Sequence, residues 1–196
     1  YRLRVSYPGM NAKKLTAYIK DRSRELGFQD CGIIPAEPLN EEGRKLDAWL
    51  SRNLQAGMSY MKTRAAMRKD PRALLPVAKS VIVLSYNYFP GENYIADQAC
   101  KISKYALGRD YHKVLRARLK KLVRTIEEAA GPVKTRICVD SAPIMEKAAG
   151  QRAGLGWIGK NTCLIHPRKG SFFFLSEILI DRELEYDNPG TDHCGR

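Results

Sequence analysis

Asp140 is the residue of this sequence best placed to do chemistry. It follows a β-rich run, 133–139, so it lies where a strand is predicted to end. A helix is predicted over 144–153, and the glycine segment 154–159, GLGWIG, comes directly after it. Glycine lets the main chain take a positive φ and lets a ligand approach it closely. A carboxyl beside such a segment predicts a ligand site, and a tight turn in which Asp140 caps a helix is the equally weighted alternative.

Three polar residues, Lys160, Asn161 and Thr162, follow the glycine segment and precede an apolar run, 163–165. The glycine spacing imitates the dinucleotide fingerprint G-x-G-x-x-G. That fingerprint requires a strand before it and a helix after it, whereas this segment follows a helix and precedes a strand. We therefore reject a Rossmann site.

The composition indicates a globular chain of one domain, or one domain with a short appendage, in 196 residues. No apolar run reaches the roughly 18 residues of a membrane span, and 172–180 is interrupted by Glu177. Because the chain starts at Tyr1 and has no signal peptide, we expect a fragment or a processed product. Five cysteines without a C-x-x-C pair favour a reducing cytoplasm.

The net charge of +13 favours polyanionic partners, nucleic acid first and an anionic membrane second. Much of the charge lies on a helix predicted over 111–130, whose apolar residues recur every three or four positions. Its basic residues are Lys113, Arg116, Arg118, Lys120, Lys121 and Arg124. Such a surface is usually only solvated, yet six cations on one helix also suit contact with phosphates.

The predicted elements alternate between helix and strand. Besides those above, helices are expected over 11–26 and 40–53, strands over 28–34, 80–88 and 171–180, a loop over 57–61 and a turn over 90–93. The alternation predicts an α/β sandwich.

Six segments of the chain resemble epoxyqueuosine reductase, in the order of that family. They are 57–61, 74–90, 105–112, 140–143, 154–162 and 170–175, and the resemblance runs from about Lys13 to Gly195. It implies a cobalamin-dependent enzyme that reduces an epoxide to an alkene on tRNA in the last step of queuosine synthesis. It also implies a nitroreductase-like α/β (α+β) sandwich, with a central mixed sheet flanked by helices, similar to that of reductive dehalogenases.

The resemblance assigns roles to individual residues. Asp140 matches the acid that protonates the departing epoxide oxygen, and burial beside the corrin would raise the pKa of its carboxyl. Ser103 lies where the family places a residue close to cobalt, where some members have Cys. The residues that match the cobalamin-lining segment are Lys160, Asn161, Thr162 and Leu164, together with Asp140 and Ser103.

Lys147 matches a position that faces the tRNA substrate, with a solvated lysine as the equal alternative. His112 and His166 are expected to be structural rather than cobalt ligands. Residues 1–181 are predicted to form the cobalamin-binding catalytic domain. Residues 182–196 would begin a ferredoxin-like module in which Cys194 is the first ligand of an incomplete [4Fe–4S] site.

These assignments predict a cytoplasmic, monomeric enzyme domain with tRNA as partner and no membrane contact. Cobalamin is its expected cofactor, and electrons would arrive through [4Fe–4S] clusters in the missing C-terminal module, without which the chain would not turn over. Three alternatives remain from the sequence: a cobalamin-binding or trafficking module, a flavin-dependent nitroreductase relative, and a basic RNA-binding domain.

Overall fold

A four-stranded sheet forms the centre of the molecule in this computed structural model, which describes residues 10–89, 91 and 102–195. The turn expected at 90–93 therefore lies almost wholly outside the described residues. The strands lie in the order β1-β2-β6-β3. They are β1 (Asp30–Pro35), β2 (Ser80–Asn87), β3 (Thr135–Cys138) and β6 (Phe173–Ile180). A separate two-stranded sheet pairs β4 (Trp157–Ile158) with β5 (Leu164–Ile165).

The α/β sandwich is confirmed, but the expectation of a mixed sheet is wrong. All three strand pairs of the central sheet are antiparallel. Strands β2 and β3 do run parallel, and the long helix α5 (Tyr111–Ala130) connects them as a crossover. They are not neighbours, however, because β6 lies between them and runs antiparallel to both. The alternation of elements in the sequence does not reveal this insertion.

One face of the sheet is covered by α1 (Ala12–Glu25) and α5. The predicted apolar stripe of α5 is buried there: Leu115, Leu119, Leu122, Ile126 and Ala129. Ile82 and Leu84 of β2 and Ile178 and Ile180 of β6 meet this stripe from the sheet. As predicted, Asn11 caps α1, its side chain accepting a hydrogen bond from the Lys14 N–H at 2.9 Å. Large aliphatic side chains thus make this face a continuous core.

The other face carries the short helix α6 (Glu146–Arg152) and a smaller core. Its buried residues include Val83, Cys138, Ala149 and Leu179. Gly32 of β1 allows the close approach, because a Cβ there would collide with the main-chain oxygen of Ala153. Small side chains let α6 pack tightly on the sheet.

Three further helices lie between β1 and β2: α2 (Asn40–Ser51), α3 (Ser59–Thr63) and α4 (Ala65–Lys69). The expected loop at 57–61 is wrong in part, since Ser59 already begins α3. An ion pair of 2.7 Å between Arg152 and Glu42 joins α6 to α2. None of the helices in the described part of the chain is long and apolar enough to cross a membrane.

The segment that follows β6 has no regular structure but is fixed to the domain. Leu184 is only 3% exposed and belongs to the core under α1 and α5. Asp187 exchanges hydrogen bonds with the main chain of Ile33, and its carboxylate pairs with Lys20 at 2.6 Å. The packed chain therefore continues past 181, and the boundary predicted there with a ferredoxin-like module stays a prediction.

Candidate active site

Asp140 lies two residues after β3, at the open end of the sheet. Its backbone is left-handed, with φ +54°, a conformation that Asp tolerates better than most residues. The turn from Ser141 to Met145 then leads into α6. The Asp140 side chain is 56% exposed, so its carboxylate is accessible to a ligand from solvent.

Two side chains from the start of α5 hold this carboxylate. The Tyr111 hydroxyl donates to Asp140 Oδ2 at 2.8 Å, and His112 Nε2 lies 2.8 Å from the same oxygen. Asp110 caps the helix by accepting the His112 N–H at 3.0 Å, and its carboxylate also lies 2.9 Å from His112 Nδ1. The imidazole is therefore clamped between two carboxylates.

These contacts decide the charge state of the site. The hydrogen bond from His112, followed by that from Tyr111, lowers the pKa of Asp140. The same contact with Asp140 raises the pKa of His112. Without a bound ligand the donors to the carboxylate outweigh its partial burial, so the rise in the pKa of Asp140 expected beside a bound corrin stays a prediction. The two shifts favour a protonated His112 against an ionised Asp140.

An aromatic patch continues from Tyr111 across the end of the sheet. The patch consists of Tyr88, Phe89, Tyr111, Phe172 and Phe174. Tyr111 stacks on Phe174 with ring centroids 3.9 Å apart and planes at 4°, and Phe174 lies 4.6 Å from Tyr88. The patch is open to solvent at Phe172, which is 43% exposed.

Ser103 directly precedes Lys104, whose side chain contacts the aromatic patch. It is the N-cap of a short 3-10 helix, Lys104–Ala106. Lys104 Nζ lies 4.3 Å from the ring centroid of Phe89 and 5.3 Å from that of Phe172. These contacts place Lys104 at the patch, and the predicted closeness of Ser103 to a bound cofactor stays a prediction.

The predicted cofactor-lining segment approaches the patch at Tyr88. Lys147, in the first turn of α6, donates through Nζ to the Thr162 carbonyl at 2.7 Å. Thr162 has a positive φ of 64°, and Asn161 Oδ1 accepts the Cys163 N–H at 3.1 Å. Cys163 interacts electrostatically with the Tyr88 hydroxyl, whose pKa is raised by burial first and by this thiol second. The segment and the patch therefore border one open face.

The remaining members of the predicted cofactor set differ in exposure. Lys160 and Asn161 are exposed, as a ligand-binding role requires. Leu164 is only 3% exposed and packs in the core beneath α6, so its main chain is the part that could meet a ligand. Sequence alone cannot separate a lining residue from the core residue that supports it.

Cys194 lies at the far end of the packed tail. Its N–H donates to the Asp192 carboxylate at 2.8 Å, and the neighbouring His193 ring meets Trp157 edge-on at 5.0 Å. Among residues 10–89, 91 and 102–195, no three His, Cys, Asp or Glu side chains are grouped to hold a metal ion. One thiolate does not hold a four-iron cluster, so the role of Cys194 as a first cluster ligand stays a prediction.

The basic surface of α5 reaches the site. Lys113, Arg116, Lys120 and Arg124 are exposed, and their spacing of three and four places them on one face. Arg116 Nη2 approaches Ser141 Oγ at 3.5 Å, next to Asp140. Arg118 differs from the others because it bonds to the Leu26 carbonyl and stacks on Tyr86. Five of the six predicted cations remain for a polyanion, since Lys121 is also exposed.

Reasoning from the sequence alone missed or undervalued four candidate functional residues. His112 was expected to be structural and Tyr111 was given no role, yet both contact Asp140. Their position directly after a helix-capping Asp was the available signal. Glu177 is fully buried in β6, and a lone acid within an apolar strand was a signal as well. For the fourth, Glu146, the sequence carries no comparable signal.

His166 lies away from the site, beside a cavity of about 320 Å³ at the outer edge of β1. Its Nε2 is 3.6 Å from the Asp30 carboxylate, and burial lowers the pKa of the ring. These contacts suit the structural role expected for this histidine.

The open face combines an acid, an aromatic patch and a polar segment on an α/β sandwich, which is the class of site expected of a ligand-binding catalytic domain. Comparison with known proteins sharpens this class. Residues 68–141 match the sequence model of the family described as "Epoxyqueuosine reductase QueG, DUF1730". An epoxyqueuosine reductase of Cellulophaga algicola is 48% identical over 187 residues, which are 95% of this chain and 61% of that protein.

Solved structures agree with this comparison. An epoxyqueuosine reductase in complex with an epoxyqueuosine-modified tRNA stem loop is 25% identical, with a TM-score of 0.84 over 94% of this chain and 50% of that one. A catabolic reductive dehalogenase, 14% identical, shares the fold alone, with a TM-score of 0.58 over 93% of this chain and 21% of that one.

The resemblance to epoxyqueuosine reductase is thereby confirmed in both sequence and fold. The chain spans about 61% of the length of the Cellulophaga relative and about half of the solved reductase.

Proposed function

We propose that this chain is the cobalamin-binding catalytic part of an epoxyqueuosine reductase, which reduces the epoxide of a modified tRNA nucleoside to an alkene. The observation that carries the proposal is the accessible Asp140 carboxylate, held by Tyr111 and His112 on the face where the motifs of the family converge. The proposed localisation is the cytoplasm, where free thiols persist.

The chemistry requires protons as well as electrons. Converting an epoxide to an alkene consumes two electrons and two protons, and the oxygen leaves as water. Asp140 Oδ2 would carry a proton to the departing oxygen, and His112 Nε2 supplies it across their 2.8 Å contact. A bound substrate that excludes water would raise the pKa of Asp140 and so favour this transfer.

The residues of the open face fit a large planar cofactor with a polar rim. The aromatic patch offers exposed ring surface, as at Phe172. Lys160, Asn161 and Thr162 offer polar side chains and main-chain groups at its border. Cobalamin, when bound, would supply the low-potential electron chemistry that no side chain provides. The residues of this chain would bind and orient it and hold the proton beside it.

The α5 cations support a tRNA substrate. Arg116 lies beside Ser141, and Lys113, Lys120 and Arg124 extend the positive face away from Asp140. Phosphates bound along this row would lead a nucleotide to the acid. Lys147, held by the Thr162 carbonyl, is the proposed additional contact to the substrate.

The deciding experiment is Asp140→Asn in a full-length reductase that contains this chain. We expect epoxide reduction to be lost while cobalamin affinity is retained, because the amide keeps the shape but delivers no proton. Asp21→Asn, an exposed aspartate on α1, is the matched control and should retain full turnover. Turnover in Asp140→Asn equal to that of the control would contradict the role of the acid.

Anaerobic titration of the chain with cobalamin tests the cofactor separately. A saturable change in the visible spectrum supports the proposal, and its absence contradicts cofactor binding by this chain alone. Binding without any effect of Asp140→Asn on turnover would favour a cobalamin-trafficking module instead. A yellow, flavin-containing protein on purification would favour the nitroreductase alternative.

A further inference from the structure

Glu177 is the most unusual charged residue in the described part of the chain. It lies in the middle of the central strand β6, opposite Val83 of β2 and Cys138 of β3. Its side chain is 0% exposed, and neither carboxyl oxygen has a hydrogen-bond partner. An ionised carboxylate in such a place would be strongly destabilising, so a role for the group needs to be sought.

Glu146 provides a second acid in the same interior. It is the first residue of α6, which packs on the face of β6 that carries Glu177. One of its carboxyl oxygens is buried without a partner, and the group also receives a backbone hydrogen bond from Asp140. Glu146 thus links the interior to the Asp140 loop.

Burial and mutual repulsion set the protonation of the two acids. Burial raises the pKa of Glu177 well above its usual range, and the Glu146 charge adds to the effect. Burial, followed by the nearby Asp140 charge, raises the pKa of Glu146 to about 7. Two carboxyls in one low-dielectric site keep protons that exposed acids release, and they titrate as a pair.

The other charged groups around the two acids do not neutralise them. Arg68 of α4 and Lys147 of α6 act on Glu146 only as the smallest contributions to its pKa. Cys138 faces both acids from β3, and their charges help burial to raise the pKa of its thiol. Tyr111 and Asp140 complete the surroundings on the side of the open face.

The proposed reaction consumes two protons, whereas Asp140 with His112 accounts for one. We propose that Glu146 and Glu177 form a buried proton store beneath the Asp140 loop, which supplies the second proton of the epoxide deoxygenation. This inference rests on the proposed function. In this proposal Glu146 passes its proton to Asp140, and Glu177 then protonates Glu146 again.

The proposed transfer moves only protons between the acids, so it needs neither an oxidant nor a reductant. After Asp140 has given its proton to the leaving oxygen, the O–H bond of the Glu146 carboxyl breaks and an O–H bond forms on the Asp140 carboxylate. Glu177 then protonates the Glu146 carboxylate and recovers its own proton from solvent by the same route. The bound cofactor would supply the electrons, which would not pass through these acids.

Infrared spectroscopy of the chain itself provides the first test. At pH 7 we expect the carbonyl band of un-ionised carboxyls, weaker in Glu146→Gln and in Glu177→Gln and absent from the double variant. Glu127→Gln, an exposed acid on α5, is the control and should leave the band unchanged. A wild-type spectrum without this band, or a band that survives in the double variant, would overturn the proposal.

The pH dependence of unfolding provides a second readout on the same variants. Unfolded glutamate releases its proton near its ordinary pKa of 4.5, whereas the folded pair retains protons to pH 7 or above. The wild-type free energy of unfolding should therefore fall as pH rises through this window. The double variant should have a flatter profile, and an unchanged slope would argue against retained protons.

Turnover then tests the proposed use of the store. In the full-length reductase, Glu146→Gln should lower kcat about tenfold with KM unchanged, because proton supply rather than binding is impaired. The alkaline limb of the kcat profile should also move to lower pH, which a purely structural role would not produce. Unchanged kcat and an unmoved limb would refute the supply role.

The proposed function and the proton store can each be refuted without refuting the other. An active Asp140→Asn enzyme would remove the proposed function, yet the infrared band of the chain would remain as evidence for buried protons. A missing band beside an inactive Asp140→Asn enzyme would remove only the proton store. Should Glu177→Gln not fold, Glu146→Gln still gives all three readouts, because Glu146 is only partly buried.

Discussion

The two faces of the central sheet are built from different residues, although they share the same strands. Along β6, Ile178 and Ile180 point to α1 and α5, whereas Glu177 and Leu179 point to α6. The first face is closed by large aliphatic side chains, and no Asp or Glu among the described residues is buried there. The second has alanines, a free thiol and a buried glutamate.

The difference indicates how the fold divides its tasks. The aliphatic face buries large side chains such as Leu119 and Ile126, and burial of apolar surface stabilises the fold. The α6 face has smaller apolar side chains and contains Glu146 and Glu177, whose pKa values are raised by burial. It lies beside the Asp140 turn with its positive φ. Functional sites often combine backbone strain and perturbed acids in this way.

The largest effect is expected from removing the proton partner of Asp140. His112→Gln should reduce epoxide turnover in the full-length enzyme by roughly 10²- to 10³-fold, within the range for general acid–base groups. The pKa of Asp140 should rise, because its main hydrogen-bond donor is weakened. Steady-state kinetics across pH provide the measurement, with His193→Gln in the tail as control. Equal losses in both variants would deny the special role of His112.

A substitution in the core of the aliphatic face should lower the free energy of unfolding and leave the proton chemistry of the site unaffected. Leu119 is fully buried in the α5 stripe, and Leu119→Ala should lower the free energy of unfolding by about 2–5 kcal/mol. Urea denaturation of the chain measures this loss. Leu54→Ala, at a residue 48% exposed, is the control and should change stability by less than about 0.5 kcal/mol. A loss below 1 kcal/mol at Leu119 would mean that this face is not the stabilising one.

Helix α5 belongs to both regions, since one side is core and another is basic. Reversing Arg116 and Lys120 to Glu should weaken tRNA binding. It should also make the negative slope of log K against log salt shallower by roughly 2. Filter binding at several salt concentrations gives the slope. Arg44 and Arg52, exposed on and after α2, provide a control reversal of equal charge. The same slope change in both double variants would indicate binding by net charge alone.

The smallest effect is expected at the closest packing of α6. A Cβ on Gly150 would lie 2.6 Å from a methyl carbon of Leu164 and 3.7 Å from both methyl carbons of Leu175. Because these are side-chain ends that can shift, and Ala favours helix, Gly150→Ala should cost only about 1 kcal/mol. Thermal unfolding measures it. Gly32→Ala should cost more, since its neighbour is the rigid main chain of Ala153. The reverse order would show that α6 is not held rigidly on the sheet.

Local sequence patterns predicted the elements well. The period of α5 and the apolar run of β2 gave bounds within about a residue of those found, because each depends on side chains close together in the chain. The strand order could not be predicted in this way. The insertion of β6 between β2 and β3 depends on pairing between distant segments, which leaves no local periodicity.

The site was predicted in part for the same reason. Asp140 could be singled out from its place after a strand and from the family motifs. Its charge state could not, since the pKa depends on Tyr111 and His112, which approach it only in the folded chain. The burial of Leu164 and the pairing of Glu146 with Glu177 likewise depend on how α6 packs.

The central place of β6 has a consequence for the order of folding. Strands β1 and β2 can pair early, but β3 has no neighbour in the sheet until β6, the last strand of the described chain, inserts beside it. Closing such long loops costs entropy before any contact repays it, so this step is expected to be slow. Asp140, which follows β3, therefore acquires its fixed position late. A partly folded or nascent chain in which β6 has not yet paired with β3 would therefore lack the acid site.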